Sequence, residues 1–257
     1  MALSVIKQGL SILGDVDDTP VDGAIKKGIS SNWAYDHEAD LTPHLAEALP
    51  LLLGKCNLLV VPTNAGWTSE VVGSGSTSQA IQRISMSTGT TANSSAKLHT
   101  VLGGLNQGLA DYSGMTWDKK LYIKVDLARV TSNAEAVARL QLKAVGTIGE
   151  LADKGVGIRI DNMALKGESY GTALGVVDLA VTLTNARTKQ IVIVLDPSIP
   201  KVEWWIDEVL KGSQTTSANI PSGTTGSNIY LVFSILNGAT AATADATVHN
   251  PTIWQAR

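Results

Sequence analysis

Cysteine is nearly absent from this sequence. Cys56 stands alone among 257 residues, which excludes an intrachain disulfide and a cysteine-built zinc site. Aromatic residues make up 5 % with a single phenylalanine, so a core has to be built mainly from aliphatic side chains. Charged residues reach 17 % and the formal net charge is −3, without any run of Lys or Arg, which argues against nucleic acid as a partner. No segment approaches the roughly 18 unbroken apolar residues that a membrane helix needs. Residues 1–18 are interrupted by Gln8, Gly9 and Ser11, too broken for a secretory core, so synthesis and folding in the cytoplasm are expected. Signatures of nucleophilic hydrolases, zinc proteases, phosphate-binding loops and calcium loops are missing as well. The expectation is a protein with no catalytic residue, no metal and no cofactor.

What is present is ample apolar material, 44 % of the chain, and 24 glycines to turn it. That length suits one large domain with a smaller attachment. Residues 1–56 carry the helical signals: Ser30 or Ser31 caps a short stretch through Trp33 and Tyr35, and Thr42-Pro43 starts another. From residue 57 to 257 the period changes to alternation, as in Leu121-Tyr122-Ile123-Lys124-Val125-Asp126-Leu127 and in the run from Val137 to Val145. Similar runs follow at Val156, Val177, Ile191, Val202 and Ile229, with turn chemistry between them at Asp196-Pro197 and Asn237-Gly238. This predicts an antiparallel β-sandwich or jelly roll over 57–257. The Ser/Thr/Gly-rich segment 63–96 belongs to it, because Trp67, Ile81, Ile84 and Met86 anchor it; the only helical turn expected after residue 57 is at Thr147 to Lys154.

Several strings resemble fibre and head-fibre proteins of tailed bacteriophages. They are Asp18-Thr19-Pro20-Val21-Asp22-Gly23, the segment from Ile29 to His37 with Ala39-Asp40, the stretch from Ser87 to Ala96, and Gly157-Ile158-Arg159-Ile160-Asp161-Asn162. The run from Val202 to Gly212 is similar to a hairpin of concanavalin-like sandwiches, with Glu208 where that hairpin has glycine. The resemblance implies a concanavalin-like jelly roll displayed on a virion surface, a non-enzymatic structural role, capsid or tail proteins as partners, and a homotrimer. The arm 1–56 would then attach or oligomerise the chain through Leu10, Ile12, Leu13, Trp33, Tyr35, Leu41, Leu49, Leu51, Leu52 and Leu53, which an arm this short does not bury by itself.

Six tryptophans raise the question of sugar stacking. On the strand from Val202, Trp204 falls on the core face and Trp205 on the other; Trp205 with Tyr230 or Tyr122 is the candidate glycan platform for host-surface polysaccharide, or else a packing contact, and Trp254 is expected to pack inward. A free carbohydrate-binding module and a glycoside hydrolase are the alternatives. The hydrolase is disfavoured because Glu203 and Asp207, the nearest approach to paired carboxylates, lie roughly 13 Å apart by strand rise. His37 and His44 would share a helical face, but Pro43 interrupts it. Replacing Ile123 or Leu231 by Asp buries an unpaired charge on this reading. Each variant is expected to lose its folded circular-dichroism spectrum.

Overall fold

In a computed structural model, the structure describes residues 56–60, 67–80, 83–103, 115–131, 135–144, 147–184, 188–223, 229–239 and 242–256. Residues 1–55, with the apolar residues from Leu10 to Leu53 expected to attach or oligomerise the chain, lie outside them, as does Ile81. The strands are β1 (Cys56–Val60), β2 (Thr68–Val72), β3 (Ser76–Ala80), β4 (Arg83–Ser87), β5 (Ser95–Gly103), β6 (Leu121–Thr131), β7 (Val137–Lys143) and β8 (Gly155–Asp161). There follow β9 (Ala164–Tyr170), β10 (Leu174–Thr182), β11 (Lys189–Asp196), β12 (Lys201–Ile206), β13 (Val209–Gln214), β14 (Ile229–Leu236) and β15 (Asp245–Ala256).

Alternation sorts these strands into two antiparallel sheets. One runs β13-β12-β11-β6-β15-β4-β3 with β1 also on β15, and the other runs β10-β9-β8-β7-β14-β5-β2. Leu121, Ile123, Val125 and Leu127 of β6 turn inward, as do Ala138, Leu140 and Leu142 of β7, and residues of both sheets join one buried apolar cluster. Two inner faces packed about 10 Å apart make a concanavalin-like β-sandwich, the fold class expected. Trp67, Ile84 and Met86 are buried in it, so the Ser/Thr/Gly-rich segment is strand and not linker.

Trp204 crosses the space between the sheets. Fully buried on β12, it donates its indole N–H to the carbonyl of Gly157 on β8 at 2.9 Å. Its ring occupies the place where a side chain at position 167 would stand: a Cβ on Gly167 would come within 2.4 Å of it. Trp254 is expected inside too. Its chain neighbour Ile253 takes the core position, so alternation turns Trp254 to the outer face, where it stacks on Tyr122 with centroids 5.4 Å apart. The segment from Thr147 to Lys154, read as a helical turn, contains no helix; it is a bent loop closed at its base by Ala144 N–H donating to Lys154 O at 2.8 Å.

The β12–β13 hairpin closes over only Asp207 and Glu208, with Ile206 paired to Val209. Both turn residues have positive φ, 48° and 65°, as a type I′ turn requires, so the turn is tight although Glu208 stands where glycine is preferred. Asp207 holds it by accepting from Gln190 N–H at 3.0 Å and pairing with Lys189. Glu208→Gly relieves the left-handed strain against the entropy glycine adds to the unfolded chain. Because the native φ disfavours a side chain, the variant is expected to gain about 0.5 kcal/mol in urea unfolding.

Candidate functional site

The outer face of the seven-stranded sheet carries polar residues in rows that cross every strand. One row reads Glu70, Lys97, Ser234, Arg139, Arg159, Lys166, Asp178 from β2 to β10. Four cations therefore stand in one line with a carboxylate at either end. The next row reads Thr68, His99, Val232, Gln141, Gly157, Glu168, Val176, and the third has Tyr230, Lys143, Gly155 and Tyr170.

Like charges directly opposite on neighbouring strands repel, so the row needs counter-charge. Glu168 supplies it from the neighbouring row: its side chain is fully buried, with Oε1 3.7 Å from Arg139 Nε and 3.9 Å from Arg159 Nη1. Gln141 donates Nε2–H to Glu168 Oε2 at 2.8 Å although β8 lies between their strands. Glycine at 157 makes that reach possible, since a Cβ there would meet Gln141 Cα at 2.8 Å. Gly155 does the same for Lys143, which donates to Gln141 Oε1 at 3.3 Å and to the carbonyl of Thr147 at 3.0 Å.

The loop 147–154 lies over this floor as a strap. Leu151 is buried beneath it near Gly155, and Glu150 extends its carboxylate to Arg159 at 3.0 Å and Arg139 at 3.7 Å. At one end of the row Asp161 binds both Arg159 Nη2 at 3.0 Å and Lys166 Nζ at 3.1 Å. Burial pushes the Asp161 carboxyl up, but the Lys166 hydrogen bond and the Arg159 charge outweigh it and hold its pKa below the usual value. Lys143 goes the other way: burial, then the Arg139 and Lys97 charges, push it down to about 8 against the pull of Glu168. Burial and Lys97 likewise lower His99, whose ring tilts against Tyr230 with centroids 6.0 Å apart. Among the described residues no group of three or more His, Cys, Asp or Glu is arranged to hold a metal ion.

Of the residues singled out from sequence, Tyr230 belongs to this face. Trp205 and Tyr122 do not join it, because β12 and β6 are strands of the opposite sheet. There Trp205 donates its indole N–H to Glu203 Oε2 at 3.3 Å, and Tyr122 lies buried against Trp254 with Lys120 over its ring. The three therefore form no common platform. Glu203 is tied to Lys201 at 2.6 Å and Asp207 to Lys189. The same sheet has a hollow of about 390 Å³ on strands β3, β4 and β15, floored by Ser76, Ser78, Ser85 and Ser87 beside Arg83 and Asp245. Its walls carry no Trp, Tyr or Phe; His249 supplies their one ring.

Arg139, Gln141, Lys143, Arg159 and Glu168 were missed from sequence. Arg139, Gln141 and Lys143 alternate with core residues, which reads as a solvated face. The available signal was Gly155-x-Gly157 inside a strand, where glycine marks a close approach from above or below.

No protein-family profile and no curated protein matches this sequence. Similar solved structures include a sialidase, at 10 % identity and TM-score 0.51 over 73 % of this chain, and a Bacillus licheniformis β-glucanase, at 14 % identity and TM-score 0.50 over 80 % of it. This chain spans 17 % of the sialidase and 99 % of the glucanase. The carbohydrate recognition domain of Emp47p is similar at 10 % identity and TM-score 0.46, with 79 % of this chain and 98 % of that one covered. The likeness is one of fold.

A lysine whose folded pKa is depressed binds its proton more weakly in the native than in the unfolded chain. Stability therefore rises with pH between the two values. For Lys143 the window runs from about 8 to its ordinary value of 10.5. Urea unfolding across that range is expected to show a rise in stability that Lys143→Met removes. Parallel pH curves for the two proteins would refute the assignment.

Proposed function

We propose that this chain is a non-enzymatic structural protein displayed on the surface of a tailed-phage particle, whose sandwich binds host-surface glycan on the outer face of the seven-stranded sheet. The observation that carries the binding face is the row of Lys97, Arg139, Arg159 and Lys166 across it, with the half-exposed Glu150 reaching the two arginines and the rings of Tyr230 and His99 beside them. Hydrogen-bond donors and a ring edge gathered on rigid strands are what sugar hydroxyls and carboxylates require. A segment making up 17 % of the sialidase and nearly all of the β-glucanase share this fold, and both are by name enzymes of sugars. The phage setting is supported by the strings at Asp18–Gly23 and Ile29–Asp40 that resemble fibre proteins.

Binding without turnover is supported by how the carboxylates are held. A retaining glycosidase needs two of them about 5 Å apart across the scissile bond, one as free nucleophile and one as acid. On this face Glu168 is fully buried against Gln141 and two arginines, and Glu150 and Asp161 are held by Arg159. In the particle, residues 1–56 join three chains and attach them to a capsid or tail protein, and the sandwich faces outward.

Light scattering of the full chain is expected to give three copies per assembly. Incubation with a panel of bacterial surface polysaccharides is expected to show binding without release of reducing ends. A monomer overturns the trimer, and reducing-end release that Glu168→Gln abolishes overturns the non-enzymatic reading.

A further inference from the structure

Of the two arginines at the centre of the cationic row, Arg159 has close contacts with Glu150 and Asp161, whereas Arg139 is held loosely. Arg139 is more than nine-tenths buried, yet its carboxylate contacts, Glu168 and Glu150, both stand at 3.7 Å. That is too long for a hydrogen bond, and neither its Nε nor that of Arg159 has a hydrogen-bond partner. Oε1 of Glu168 has none either. A buried guanidinium normally secures close, paired acceptors, because leaving its donors unmet is costly. One acceptor shared by both arginines comes from outside the sheet. Glu150, on the strap, has half of its side chain in solvent and makes its one close contact, at 3.0 Å, with Arg159 Nη1.

The strap around Glu150 is built to aim it. Gly149 has φ +112°, a backbone conformation that side chains avoid, although a Cβ there would meet nothing within 4 Å. Glycine is thus required at 149 by conformation and not by space. At the far end of the strap, Lys154 is fastened through Nζ to Ser222 O at 2.6 Å, and the base is closed by Ala144 and Lys154. Between these fixed points the carboxylate hangs over the arginine pair.

We infer that the Arg139–Arg159 pair is a receptor for the carboxylates of an acidic polysaccharide, and that Glu150 occupies it as an internal substitute which the ligand displaces. This rests on the glycan-binding reading above and names its ligand class. A uronate carboxylate is planar and bidentate, and the paired guanidinium forks offer it donors that Glu150 meets only in part. Lys166, part-exposed beside Asp161, is the next cation along the row for an extended chain, whereas Lys97 is buried and paired with Glu70 at 2.8 Å. Because Glu150 competes for the same donors, removing its charge strengthens ligand binding instead of weakening it. A residue that merely supports the loop would do the reverse.

The test is calorimetric titration of the full chain with polygalacturonate and with its carboxyl-reduced, neutral counterpart. Wild type is expected to bind the acidic polymer, with affinity falling as salt rises, and to ignore the reduced one. Glu150→Gln, at a half-exposed position, is expected to bind polygalacturonate about fivefold tighter, and Arg159→Gln at least about tenfold weaker. Unchanged or weaker binding by Glu150→Gln overturns the substitution by the strap. Equal binding of the reduced polymer overturns the acidic specificity and leaves the glycan-binding reading in place. Binding of neither polymer overturns the inference, and if neutral bacterial polysaccharides are also ignored the glycan-binding reading falls with it.

Discussion

Gly157 is the point through which the inside and outside of this sandwich constrain each other. From the interior, Trp204 of the opposite sheet hydrogen-bonds its carbonyl. From the exterior, Gln141 passes over it to Glu168. Any side chain at 157 would strike the β7 backbone, where the Leu140 carbonyl stands 2.3 Å from a Cβ. The position of the polar rows thus depends on how the core packs. The indole fixes the separation of the sheets at β8, and β8 in turn sets the spacing between Gln141 and Glu168, two strands apart at about 4.8 Å per strand.

Burying Arg139, Lys143 and Glu168 does not serve stability well. Replacing a buried ionic group by apolar residues of similar volume is often neutral or favourable, whereas removing one partner is strongly unfavourable. The adjacent positions show the contrast. Val232, on the same outer face between His99 and Gln141, is apolar and fully buried, and asks for no partner. A face that needed only to be covered could have continued in that way. The depressed Lys143 and the unbonded Arg139 Nε are the energetic residue of keeping charges there.

The sandwich was legible in the sequence because alternation is a strong signal where one face of a strand is dry. In β6 and β12 it gave inward and outward residues position by position, Trp204 and Trp205 included. Trp254, expected to pack inward, obeys the same alternation: Ile253 takes the core position and the indole lies outward on Tyr122. The site was less legible. Period tells which face a residue shares with its neighbours in sequence. It does not tell which sheet a strand joins, so Tyr230 could be grouped with Tyr122 and Trp205 across a sandwich that separates them. Nor does it tell that a loop eleven residues downstream returns to cover Arg139.

The longest strand, β15, has β6 along one side and divides its other side between two partners. β4 pairs with Asp245 to His249, β1 pairs with Thr252 to Ala256, and the change falls at Asn250, where φ is +48°. Cys56 and Ala256 are thereby direct register partners, so the sandwich is entered and left at one place. Such a domain is a cassette. Sequence can be appended at either end, or the unit spliced into a loop of another protein, while its own packing stays unchanged.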